Sequence, residues 1–148
     1  MRKLFLLSAL LVFACGSDDS NDNSNQTFLE KYDGVVWGET LNDPSYSFGH
    51  IFYNSPSSVT TFEVYNGMID CYSNIFGNVD AYGTLMDIVS QTEDMLVLEI
   101  TEYFLFGQIS TYIATITVTN DRDNLALERS NEPNGTEYYE KINSSPCN

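Results

Sequence analysis

Residues 108–119, QISTYIATITVT, set an apolar face against one rich in threonine. Tyr112, Ala114, Ile116 and Val118 fall on one face, and Thr111, Thr115, Thr117 and Thr119 fall on the other. Successive side chains of an extended strand point to opposite faces, so this period of two places a half-buried β-strand here. The same reading recurs along the chain. Val35–Thr40, Ser45–Tyr53, Val59–Tyr65, Met68–Phe76, Thr84–Thr92, Met95–Glu102, Leu125–Arg129 and Thr136–Ile142 form further strands. Turn pairs such as Asp33-Gly34, Asn66-Gly67 and Asn134-Gly135 separate many of them. Only residues 26–32, QTFLEKY, suggest a short helix or turn, and no long amphipathic helix or internal repeat is present. Eight or nine short strands with one apolar face predict an all-β antiparallel meander. Such a meander hides its edges most simply by closing into a small barrel. A two-sheet sandwich is the alternative.

The N-terminus is of another kind. Arg2 and Lys3 precede an apolar run from Leu4 to Ala14, broken only by Ser8. At about 11 residues the run is well short of the roughly 20 needed to cross a bilayer as a helix, and it reads as an export signal. The residues ending VFAC resemble a bacterial lipobox, in which Cys15 is lipidated and becomes the first residue after cleavage. Ser17, Asp18 and Asp19 resemble a short signal that directs some lipoproteins of Gram-negative bacteria to the outer face of the outer membrane. Residues 15–25 are also too polar to bury a core and would serve as a solvated tether. The expected organisation is a lipoprotein signal at 1–14, a lipidated cysteine and tether at 15–25, and one β-domain at 26–148. Its expected location is the outer membrane, held through lipid on Cys15 and exposed at the cell surface.

With Cys15 assigned to lipid, Cys71 and Cys147 remain of three cysteines, in an export pathway that permits disulfides. Their bridge would close a loop worth roughly 4 kcal/mol in chain-entropy terms. The alternative is two unpaired cysteines, one buried and one on a frayed tail. The chain carries a formal charge of −15. Removal of Arg2 and Lys3 leaves Lys31, Arg122, Arg129 and Lys141 against 21 acids. Such a surface repels phosphate backbones, so nucleic acid is not an expected partner. A basic protein is a possible one.

Gly34 and Trp37 in YDGVVW, with Tyr139 and Lys141 in EYYEKI, carry a resemblance to the lipocalin-like domains of bacterial lipoproteins. It spans residues 28–142. It implies a barrel that binds a small apolar or amphipathic molecule.

Residues suited to catalysis are scarce. His50 is the single histidine, so a metal site needing two imidazoles in one chain is excluded. It lies on an aromatic strand and reads as structural. No GxSxG elbow occurs, and with Cys71 oxidised no thiol remains for a Cys/His pair. Residues 120–124, NDRDN, offer oxygen ligands but lack the glycine and terminal Glu of an EF-hand, and read as a turn. No catalytic residue, metal or cofactor is expected. A barrel cavity would be walled by Tyr46, Phe48, Phe62, Tyr112 and Ile116. Tyr103, Phe104, Leu105 and Phe106 fall where a polar turn should link two long strands. They would rim a ligand mouth, touch a membrane or dock a partner, unless the flanking strands extend and draw them in.

The expected function is that of a lipid-anchored lipocalin-like barrel binding a small apolar or amphipathic ligand, and not an enzyme. The rivals are an acidic interaction module resembling inhibitors of basic lysozymes, and a glycan-binding surface lipoprotein. A hydrolase using acidic residues is the weakest.

Overall fold

Asn66 and Gly67 both take positive φ, 50° and 79°, as the two central residues of a type I′ turn must. The turn sets Tyr65 opposite Met68, and the register then runs unbroken to Ser58 opposite Ile75. In the computed structural model, which describes residues 26–39, 46–119, 123–132 and 134–147, hairpins of this kind build nearly the whole chain. After helix α1 (Phe28–Lys31) come β1 (Val36–Gly38), β2 (Tyr46–Asn54), β3 (Ser57–Tyr65) and β4 (Met68–Ile75). They are followed by β5 (Thr84–Gln91), β6 (Met95–Tyr103), a 3-10 turn (Leu105–Gly107), β7 (Ile109–Val118), β8 (Asn124–Arg129) and β9 (Thr136–Ile142).

The strands form one nine-stranded sheet in the order β4-β3-β2-β1-β9-β8-β7-β6-β5, curled into a nearly closed barrel rather than a two-sheet sandwich. Every pairing is antiparallel, including that of β1 with β9. Nine alternating strands leave the two end strands, β4 and β5, running in the same direction. A tight hairpin cannot join them, so residues 76–83 must travel back along the barrel. On the way Phe76 N–H donates to the carbonyl of Ser57 (3.0 Å) and Gly77 N–H to that of Met86 (2.8 Å). Val79 forms an isolated bridge with Leu85. This connector runs along the seam that β4 and β5 leave open.

One end of the barrel is plugged by α1. Thr27 and Glu30 cap each other, Glu30 Oε2 accepting from Thr27 N–H at 2.8 Å, a reciprocal box that satisfies two otherwise orphan donors. Phe28 meets Phe52 edge-on (5.3 Å between ring centroids), and Tyr32 meets Trp37 at 5.8 Å. Lys31 pairs with Glu93 and Asp94, and Tyr32 Oη donates to Asp94 at 2.6 Å, which pins the helix to the β5–β6 turn. Trp37 and Phe28 are wholly buried in the main core, with Leu96, Leu98, Ala114, Ile116, Leu125 and Tyr139.

A second apolar cluster, Val36, Ile51 and Phe62, lies apart from this core, and Cys147 packs against it. Beyond β9 the chain crosses the outer face of the sheet, and Cys147 joins Cys71 of β4 in a disulfide with Cα atoms 6.1 Å apart. The C-terminal tail is thereby strapped over β1, β2 and β3 to the sheet's edge strand. Cys15 and residues 120–122 of the NDRDN turn lie outside the described residues.

Candidate functional site

Alternation determines what the barrel encloses. Phe48, His50 and Phe52 of β2 face inward, opposite Glu63, Thr61 and Val59 of β3. From the other wall come Leu98 and Ile100 of β6, Tyr112, Ala114 and Ile116 of β7, and Leu125, Leu127 and Arg129 of β8. Between them lies a cavity of about 190 Å³. An apolar cavity of about 150 Å³ holds a benzene molecule, so this one is sized for a single ring or a short chain. Its wall is apolar apart from His50, Thr61, Tyr112 and Arg129.

Those four polar groups are arranged so that little net charge faces the cavity. His50 Nδ1 lies 3.2 Å from Thr61 Oγ1, while its Nε2 is buried with no hydrogen-bond partner among the described residues. Burial, aided by the nearby Arg129 charge and opposed by Glu137, pulls the imidazole pKa down to about 4. At neutral pH it is uncharged. Arg129 is hydrogen-bonded to Glu137, which also accepts from Tyr139 Oη. Burial alone would raise the Glu137 carboxyl, but the Arg129 and Tyr139 hydrogen bonds outweigh it and hold the group below its ordinary value. Tyr112 Oη donates to Glu102 at 3.1 Å, and burial together with that carboxylate pushes its pKa up to about 12.

As a catalytic pair, Thr61 and His50 are poorly equipped. A nucleophile–base pair needs the base poised near neutrality and oriented by a third group. This imidazole is a weak base, and its second nitrogen has no orienting partner. Among the described residues no group of three or more His, Cys, Asp and Glu side chains could hold a metal ion. No helix among them is long and apolar enough to cross a membrane.

Of the five expected cavity residues, Phe48, Tyr112 and Ile116 line the space. Phe62 does not. It occupies an even position on a strand whose odd positions face inward, and its buried ring belongs to the outer cluster beneath the C-terminal strap. Tyr46 sits at the barrel's other end, paired with Tyr65. Its phenol is pushed up by burial and by the charges of Glu63 and Glu39. Tyr103 ends β6, and Phe104, Leu105 and Phe106 follow it on the β6–β7 connection; all four are exposed, and Phe106 takes φ of 71°. The sequence reading missed Arg129 and Glu137. His50, expected to be structural and packed or hydrogen-bonded among aromatic rings, is packed against Phe48 and Tyr139 (5.2 and 5.0 Å) and also lines the cavity.

A second cavity of about 360 Å³ opens at the seam, lined by Thr61, Tyr72, Asn74, Asp80, Tyr82 and Thr84. Asp80 shapes it by accepting from the backbone N–H groups of Tyr82 (2.9 Å) and Thr84 (2.7 Å). These bonds hold the 80–83 turn, with Gly83 at φ of 82°. Tyr72 and Tyr82 meet edge to face, their ring centroids 5.8 Å apart. Thr61 lines both cavities. Comparison of the chain with protein families, curated proteins and solved structures finds no match.

Proposed function

We propose that the protein is a lipid-anchored envelope lipoprotein whose lipocalin-like barrel binds a small, uncharged apolar group in its interior. The observation that carries the binding reading is the apolar cavity into whose wall a neutral, half-satisfied imidazole is built. A buried polar atom left without a partner costs about 1–3 kcal/mol. A ligand hydroxyl or carbonyl reaching His50 Nε2 would remove that cost and orient the molecule, the usual division of labour in small-molecule sites. The lipid anchor rests on the N-terminal sequence, from Arg2 and Lys3 to Cys15.

Native mass spectrometry of residues 26–148, taken from the envelope in which the protein is made, tests this reading. The expected result is a small apolar adduct, released on denaturation and lost when Ile100→Glu puts a charge into the cavity wall. A bare mass from several preparations, with no binding of added short-chain alcohols, would overturn it.

A second reading is favoured by the exposed Phe104, Leu105 and Phe106. Apolar side chains at a hairpin tip on an acidic protein suit docking to a basic protein partner. The expected signature is an association weakened by salt and abolished by Phe106→Ser. An association insensitive to both would remove this reading.

A further inference from the structure

The barrel has a break in its wall where β4 and β5 fail to pair, and the two cavities share Thr61 of β3 as a lining residue. Thr61 borders both, holding His50 on one side and facing the vestibule of Tyr72, Asn74, Asp80, Tyr82 and Thr84 on the other. The inner chamber, about 190 Å³, holds about six non-hydrogen atoms at about 30 Å³ each. The inner chamber falls short of the usual size of a small-molecule site, about 300–1,000 Å³, whereas the two together come well within it.

The two chambers differ in chemistry. The inner wall is apolar and close to neutral. Among the described residues the vestibule carries the carboxylate of Asp80 and no basic side chain. Its two tyrosines stand at a steep mutual angle, 84°, and so present faces in different directions. Tyr82 is largely exposed, so the vestibule is open to solvent. Glu63 shares the inner face with Thr61, and Tyr72 Oη lies 3.4 Å from its carboxylate. Burial first, then the charges of Glu63 and Asp70, raise the Tyr72 pKa. The cations nearest the barrel interior are already engaged, Lys31 with Glu93 and Asp94 and Arg129 with Glu137. Aromatic faces beside carboxylates are the chemistry that recognises an ammonium group.

We propose that the inner cavity and the seam vestibule form one elongated site for a short-chain ammonium amphiphile. Its apolar chain fills the barrel, and its cationic head packs against the Tyr72–Tyr82 pair beside Asp80. This deepens the binding reading above and rests on it. The head group enters and leaves from the side, between β4 and the 76–83 connector, and not through the end plugged by α1.

Calorimetric titration of the full chain with hexyltrimethylammonium, hexyl sulfate, hexyl glucoside, hexanol and tetramethylammonium tests it. Hexyltrimethylammonium is expected to bind at least tenfold more tightly than each of the others. Tyr82→Ala, at an exposed side chain, and Asp80→Asn, which keeps an oxygen for the turn's N–H groups, are each expected to weaken it about fivefold or more. Each should weaken the binding of hexyltrimethylammonium by a larger factor than it weakens that of hexanol. Hexanol or hexyl glucoside binding as tightly as hexyltrimethylammonium would overturn the ammonium site while leaving the barrel cavity as a binding site. Tetramethylammonium binding as tightly would show that the chambers are separate and would likewise overturn it. Failure of all five probes would overturn both this inference and the reading it rests on.

Discussion

The aromatic ring of Phe62 lies directly over Gly49, its partner across the β2–β3 pair. A Cβ at residue 49 would stand 2.5 Å from the Phe62 ring and 2.0 Å from the Trp37 carbonyl oxygen. The second neighbour is backbone and cannot swing away. Gly49→Ala is therefore expected to destabilise the domain by about 3 kcal/mol, at the upper end of overpacking costs. A shift of the urea midpoint with unchanged m-value checks this. A change below about 1 kcal/mol would show that β1 and β2 can separate without penalty.

Acid should weaken the fold in two stages. His50 has a folded pKa of about 4 against an ordinary 6.5, so between these values the unfolded chain binds more protons than the folded one. Stability then rises with pH across that window and is lost as pH falls from about 6.5 to about 4, by about 3 kcal/mol at most. Glu137, whose pKa is lowered from 4.5, gives stability that is present above its ordinary pKa and disappears only below it. His50→Gln should abolish the first stage and spare the second. Denaturant melts at half-unit pH steps would reveal an unchanged slope in the variant if the histidine were not responsible.

The Arg129–Glu137 pair offers a separate test. Both side chains are partly exposed, so solvent screening reduces the cost of breaking the pair below that of a fully buried one. Glu137→Leu is expected to destabilise by about 2 kcal/mol, since it leaves Tyr139 Oη without its acceptor and Arg129 with only the longer contact to Glu132, 3.8 Å. Arg129→Met added to it should recover part of the loss. A strictly additive double mutant would mean that the two groups do not interact in solution.

Reduction of Cys71–Cys147, which are 76 residues apart in sequence, should cost about 4 kcal/mol. Because the bond ties the tail to the edge strand, amide exchange should accelerate first in β4 and in residues 143–147. Uniform acceleration across the barrel would contradict that local role.

Cys15→Ala should abolish incorporation of labelled fatty acid and release the protein from the membrane fraction. Retention of label by the variant would place the lipid elsewhere.

Some of this was legible in the chain and some was not. The threonine-backed alternation of β7 left only one face to bury, and the structure buries it. The Asn66-Gly67 turn was equally plain, because few residues tolerate two successive positive φ angles. β3 was not decidable by the same means. Thr60, Phe62 and Val64 form the greasier face, yet Val59, Thr61 and Glu63 face inward. The outer face of β3 is covered too, by a C-terminal strap that no local pattern announces. Arg129 and Glu137 escaped notice because a charged pair on adjacent strands reads as surface until strand order shows which face is enclosed. The vestibule depends on the path of residues 76–83, which is set by the barrel as a whole.

The count of nine strands has an evolutionary corollary. Because the two end strands point the same way, no substitution within the sheet can zip them together by a hairpin, and the opening is a matter of parity rather than of side chains. The residues that finish the wall, 76–83, belong to a loop outside the core clusters apart from Phe76, which packs against the main one. What the barrel admits can thus be altered at Tyr82 or its neighbours while the interior that keeps it folded stays as it is.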